Sequence, residues 1–180
     1  MKIRLENVRL AFPQLFEAKS VNGEGDPAFS ATFLFSPKHP VAETLREAME
    51  VVGKEKWGAK WPVVKKEIEA KDRTAVHDGD TKAGYAGFEE HLFVSARNKS
   101  RPLVIDGNKT PLVAADGRPY GGCYVNASIE LWPQDNAYGK RINASLRGVQ
   151  FLKHGDAFGG SSAASDDEFE TIGELAEDLV

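Results

Sequence analysis

Two stretches, Gly121–Trp132 and Lys140–Leu152, constrain this chain more than any other part of it, because both alternate with period two. In the first, Cys123, Val125, Ala127, Ile129 and Leu131 share one side, while Tyr124, Asn126, Ser128, Glu130 and Trp132 share the other. In the second, Ile142, Ala144 and Leu146 oppose Arg141, Asn143, Ser145 and Arg147. Successive side chains of a strand point to opposite faces, so the pattern predicts two half-buried antiparallel strands. The connection Pro133–Gly139 is rich in turn formers and predicts a hairpin loop. The outward face then carries Tyr124, Trp132, Arg141 and Arg147 among small polar side chains. Rings and guanidiniums on one strand face suit base stacking combined with phosphate contact.

Three further stretches read as strands. Ile3–Phe12 reads as a first strand and is ended, or marked as an edge, by Pro13. After a turn cluster at Val21–Pro27, Phe29, Ala31, Phe33 and Phe35 share one phase of a second strand and are expected in the core. In His91–Lys99, Leu92, Val94 and Ala96 are expected inward, and Phe93, Ser95, Arg97 and Lys99 outward. The last group repeats the aromatic, small polar and basic mixture of the hairpin. Pro102–Asp106 reads as a short additional strand.

Between the second and third strands the period changes. Val41, Leu45, Ala48, Met49 and Val52 recur at helical spacing, with Gly53 a candidate stop, and a second helix starts near Pro62. The helical insert covers about residues 41–71. Trp57 and Trp61 stand four apart among Lys54, Lys56, Lys60, Lys65 and Lys66. That pair either staples a helix to the sheet or lines a nucleic-acid path. Residues 72–88 read as an irregular excursion.

A mainly β chain with five principal strands fits a five-stranded OB-fold-like barrel with a helical insertion after strand 2. A β-sandwich with a helical flap is the alternative. Residues 1–158 are expected to form the domain, and 159–180 a Gly/Ser linker followed by a flexible acidic tail. Charge divides the same way. Asp166, Asp167, Glu168, Glu170, Glu174, Glu177 and Asp178 all fall in the tail, leaving 20 acids against 23 bases in residues 1–160, a net of +3. A mildly basic body with an acidic terminus points to nucleic acid, to recruitment of partners, or to a solubilising tail.

Catalytic signatures are absent from the pattern. The four histidines, His39, His77, His91 and His154, stand far apart, and no Cys or His pair has metal-ligand spacing. His77-Asp78-Gly79-Asp80 lacks the full calcium-loop pattern, and no glycine-rich segment has the Lys and Ser/Thr of a phosphate-cradling loop. No metal and no cofactor are expected. Cys123 lies on the inward phase and reads as a small buried residue, consistent with a reducing cytoplasm. No apolar stretch has the length of a membrane span.

The run Tyr120–Ala127, then Trp132–Asn136, Gly139-Lys140-Arg141 and Gly148–Phe151 with Gly155, resembles phage and prophage single-stranded-DNA-binding proteins. Asn7–Phe16 and Phe33-Leu34-Phe35 are similar as well. The general plan is similar to the replication protein of short-tailed phages, an OB-fold with an acidic C-terminal tail. The resemblance implies a non-enzymatic protein that coats exposed single strands during replication and recombination in a bacterial host cell. It also implies a tail that docks on DNA polymerase or helicase-primase and competes with DNA for the groove. One departure is that this chain ends Asp178-Leu179-Val180, where members of the short-tailed type end on an aromatic residue; Phe169 lies inside the tail instead.

The expected DNA-binding residues are therefore Phe93, Tyr124, Trp132 and Tyr138 for stacking, with Arg97, Lys99, Lys140, Arg141 and Arg147 for phosphates. The loop carrying Tyr138, Lys140 and Arg141 is expected to be a mobile rim. A second copy of the chain is a further expected partner. The alternative reading is a protein-binding or inhibitor module of phage origin using the same concave face; an enzyme acting on nucleotides is a third.

Overall fold

The computed structural model describes residues 1–21, 23–158 and 172. Strands β1 (Lys2–Val21) and β2 (Glu24–Phe35) form a long antiparallel hairpin, followed by helices α1 (Pro40–Trp57) and α2 (Trp61–Ala70). A two-residue strand β3 (His77–Asp78) precedes β4 (Leu92–Asn98) and β5 (Leu103–Ile105). The second long hairpin is β6 (Tyr124–Asn136) with β7 (Gly139–Lys153).

Five of these strands close on themselves. Neighbours run β4-β2-β1-β6-β7, and β7 returns to β4 through a parallel pairing at Arg97 and Ser145. The Asn98 side-chain amide donates to Leu146 O at 3.0 Å and reinforces that closure. A closed ladder leaves no exposed edge in the barrel wall. The arrangement is the OB-like barrel expected, with helices inserted between its second and third strands. Among the described residues no helix is long and apolar enough to cross a membrane.

The core follows the alternation. Cys123, Val125, Ile129, Leu131 and Leu146 are fully or almost fully buried, as are Phe33, Leu5 and Leu10. Phe29, Ala31 and Phe35 join them. Burial pushes the Cys123 thiol pKa up, so the sulfur stays protonated and apolar.

Three local expectations change. Pro13 does not end the first strand: it sits in a register shift between Ala11 and Gln14, and β1 continues to Val21. A bulge tolerates a residue without an amide proton, which an interior ladder position would not. The β6–β7 loop shrinks to Ala137 and Tyr138, because Pro133 to Asn136 pair with Ile142 to Gly139. Gly53 does not stop α1. A Cβ there would collide with the Trp61 ring, so glycine lets the two helices fold back closely.

Trp57 and Trp61 prove to be a staple rather than a nucleic-acid path. Their rings stack at 5.8 Å with an interplanar angle of 11°, and both are buried. The Trp61 indole N–H donates to Glu50 Oε2 at 2.9 Å, and that of Trp57 to Asp135 Oδ2 at 3.0 Å. The second bond ties the helical insert to the β6–β7 hairpin. The backbone N–H of Ile142 also donates to Arg73 O at 3.0 Å, so the hairpin is braced from two sides.

Candidate nucleic-acid interface

Numbered within the barrel, β2 and β4 are its second and third strands, and the β1–β2 and β6–β7 hairpins are its first and last loops. The outer faces of β2 and β4 line up by register. Gln14, Ser30 and Arg97 form one row, Ala11, Thr32 and Ser95 the next, and Arg9, Leu34 and Phe93 a third. In the middle row, the Thr32 and Ser95 hydroxyls hydrogen-bond at 3.1 Å.

A groove of about 360 Å³ opens over this face between β4, β7 and the β6–β7 hairpin. Arg97, Trp132 and Arg141 line it, with Gln134, Asn143 and Ser95 supplying hydrogen-bonding side chains. No Asp or Glu is among its lining residues. Arg97 and Ser145 also border a second hollow, of about 530 Å³, which runs on to Lys99 and to Glu24, Gly25 and Asp26 of the β1–β2 hairpin. The two hollows thus make one continuous path from the last loop to the first, across the third strand. That is the face on which OB-folds take oligonucleotides.

Trp132 is 41% exposed, enough to offer a ring face. Neither Arg97 nor Arg141 has an ion-pair partner among the described residues, so both charges face the groove uncompensated. Lys99 is different: its ammonium lies 2.8 Å from Asp26 Oδ2, and this pair holds the Asp26 carboxyl below the usual carboxylate range. Both side chains are exposed, so the pair opens at little cost. Tyr138 stands at the hairpin tip, 85% exposed, and Lys140 is half-buried beside it. The hairpin that carries them is the one tied to Trp57 and Arg73.

Three expected residues lie elsewhere. Phe93 is only 4% exposed. It does point out of the barrel, but residues 77–91 fold over it: Phe88 meets its ring edge-on at 5.2 Å and His77 lies 5.1 Å away. It belongs to a small outer core with Ala11, Leu34, Phe88 and Phe158. Tyr124 shares the outward phase with Trp132 but sits at the far end of β6, about 26 Å away at the rise of a strand. There its ring packs under the Lys153 ammonium at 4.8 Å and the Arg9 guanidinium at 5.6 Å. Arg147 is exposed at the β6–β7 bulge, pairs with Glu130 at 3.3 Å, and does not line the groove.

The structure adds Thr74, His77, Gln134 and Asn143 to the groove wall. Gln134 and Asn143 stand on the outward phase of their strands, and the Asn143 side-chain amide donates to Gln134 Oε1 at 2.8 Å. His77 and Thr74 come from the excursion, where no periodicity marked them. The expected tail residues, Asp166, Asp167, Glu168, Phe169, Glu170, Glu174, Glu177 and Asp178, lie outside the described residues.

Comparison with known proteins agrees with this fold. The chain is 47% identical over 175 residues to protein p50 of Acyrthosiphon pisum secondary endosymbiont phage 1, covering 96% of this chain and 94% of that one. Its fold matches the single-stranded DNA-binding protein from bacteriophage Enc34 solved in complex with ssDNA, with a TM-score of 0.75 and 30% identity over 88% of this chain and 89% of that chain. It also matches gp2.5, a single-stranded DNA-binding protein encoded by bacteriophage T7, with a TM-score of 0.59 over 94% of this chain and 95% of that one; at 15% identity this likeness concerns the fold alone. The sequence model of the Enterobacter phage Enc34 ssDNA-binding protein family matches residues 1–180, and the chain belongs to that family.

Proposed function

We propose that this chain binds single-stranded DNA along the path between its two long hairpins. Trp132 stacks a base, Arg97 and Arg141 meet phosphates at the centre, and Lys99, Lys140 and Tyr138 extend the contact to the ends. The observation that carries this reading is the convergence of Arg97, Trp132 and Arg141 on one groove whose lining has no acidic side chain. Stacking is tolerant of sequence because every base has a π-face, and a stacked base contributes about 1–3 kcal/mol. Tyr124 and Arg147 contribute only if a longer strand wraps past the groove toward the outer face of β6.

On this reading the protein coats exposed single strands during phage replication and recombination in the infected cell. The seven acids of residues 161–180 compete with DNA for the basic groove and recruit replication proteins such as the polymerase or helicase-primase. Family membership supports the binding activity, and the charge division between body and tail supports the competition.

A salt titration tests both. Phosphate contacts release counterions, so the logarithm of affinity for oligo-dT should fall linearly with the logarithm of salt, with a slope set by the number of phosphates neutralised. Residues 1–160 alone should bind more tightly than the full chain at low salt. A flat salt response would sink the groove reading, and unchanged or weaker affinity after truncation would sink the competition.

A further inference from the structure

The outer face of the barrel carries a second aromatic feature beyond the groove. The row Ala11–Thr32–Ser95 links β1, β2 and β4. Ser95 lines the groove, and Ala11 lines another cavity, of about 460 Å³, bounded by Phe12, Pro13, Tyr85, Phe88 and Phe158. The two openings therefore stand at opposite ends of a three-strand row, about 10 Å apart at the spacing of neighbouring strands.

Phe12 occupies the bulge at φ +48°, in the left-handed region. A bulky side chain adopts that conformation only against a steric penalty. Burial of the ring would offset it, yet the residue is 53% exposed. Tyr85 is equally exposed and meets Phe12 edge-on at 5.2 Å. Phe88 lies beneath, 5.8 Å from Phe12, and is itself buried. The outcome is a supported pair of rings delivered to solvent by a strained backbone, and strain retained at a surface site points to use of that site.

We propose that Phe12 and Tyr85 form a second stacking platform, which takes an unpaired base of the strand already lying in the groove. This rests on the groove reading above. Phe12 and Tyr85 carry no charge, so the platform contributes through ring faces and not through phosphate neutralisation. Its contribution is accordingly insensitive to salt and depends on the strand being long enough to reach it.

The test uses the full chain and an oligo-dT length series, with affinity read by fluorescence anisotropy. Phe12→Gly removes the ring and relieves the left-handed backbone. It should leave affinity for the shortest bound oligonucleotides unchanged and abolish the step gained on longer ones, a loss of about 5- to 150-fold for one stacked base. The slope against salt should not change. Tyr85→Leu keeps an apolar cover on Phe88 and should lower long-strand affinity in the same direction; it decides the matter where Phe12→Gly lowers the melting temperature. Wild-type affinity for long strands in both variants, while Trp132→Ala weakens binding, would overturn the platform and leave the groove reading standing. Failure of the wild type to bind at all would remove both.

Discussion

Trp132 and Phe93 illustrate how far side-chain alternation reaches. Both take the outward phase of their strands, yet one is 41% and the other 4% exposed. Period two decides which side of a strand a residue occupies, and it carries no information on whether a distant segment lies over that side. Residues 77–91 cover Phe93 and leave Ser95 and Arg97, two and four positions on, open. The two rings should therefore respond oppositely to truncation. Trp132→Ala is expected to weaken oligo-dT binding by about 1–3 kcal/mol with little change in melting temperature. Phe93→Ala is expected to cost about 3–5 kcal/mol of stability, as a large cavity in a packed cluster does. Thermal melts beside anisotropy titrations check both. A stability collapse in Trp132→Ala together with a binding-only defect in Phe93→Ala would reverse the assignment.

At the scale of elements, strands and helices were legible wherever contact is local. The alternation of β6 and β7 put Val125, Ala127, Ile129, Leu131, Ile142 and Leu146 in the core, where they are buried, and helical spacing located the insert near residues 41–71, against Pro40–Trp57 and Trp61–Ala70 in the structure. What was not legible is set by partners far away in sequence. The bulge at Phe12 and Pro13, the fold-back at Gly53 and the indole bond to Asp135 each depend on a neighbour that no local pattern names. The corner between α1 and α2 shows the consequence. Glu50 accepts from Lys65 at 2.5 Å and from the Trp61 indole at 2.9 Å, and these bonds, that to Lys65 foremost, hold its carboxyl below the usual range. A depressed carboxylate stabilises the fold fully above its unfolded pKa of about 4.5, and that contribution is lost as pH falls through the folded value. Glu50→Gln should cost about 1 kcal/mol at pH 7, given the partial exposure of the pair. The deficit should shrink toward zero in acid, below pH of about 4. An undiminished deficit at low pH in denaturant melts would show that the charge on Glu50 is not its source.

For the whole molecule, the closed barrel fixes where a ligand can lie. Its β4–β7 closure brings Arg97 beside Ser145, and the long β6–β7 hairpin projects Trp132 and Arg141 over that seam. The fold class and the sign of the charge division were readable from composition and period. The path of the groove was not, because it is defined by which strands meet at the closure. Arg97 of β4 came together with Trp132 and Arg141 of the hairpin, and Phe93, Tyr124 and Arg147 did not join them. A net charge of −4 conceals a body of net +3 over residues 1–160, which is why the total alone gives no hint of an anionic ligand.

The proposed function places a single strand against Trp132. Of the three tryptophans, Trp57 and Trp61 are buried in a stacked pair, so Trp132 alone can meet a ligand. Intrinsic tryptophan fluorescence titrated with oligo-dT at low salt measures this directly. A base stacked on Trp132 should give saturable quenching that reverses on adding salt and is absent in Trp132→Phe. Unquenched fluorescence at concentrations where anisotropy reports full binding would contradict it.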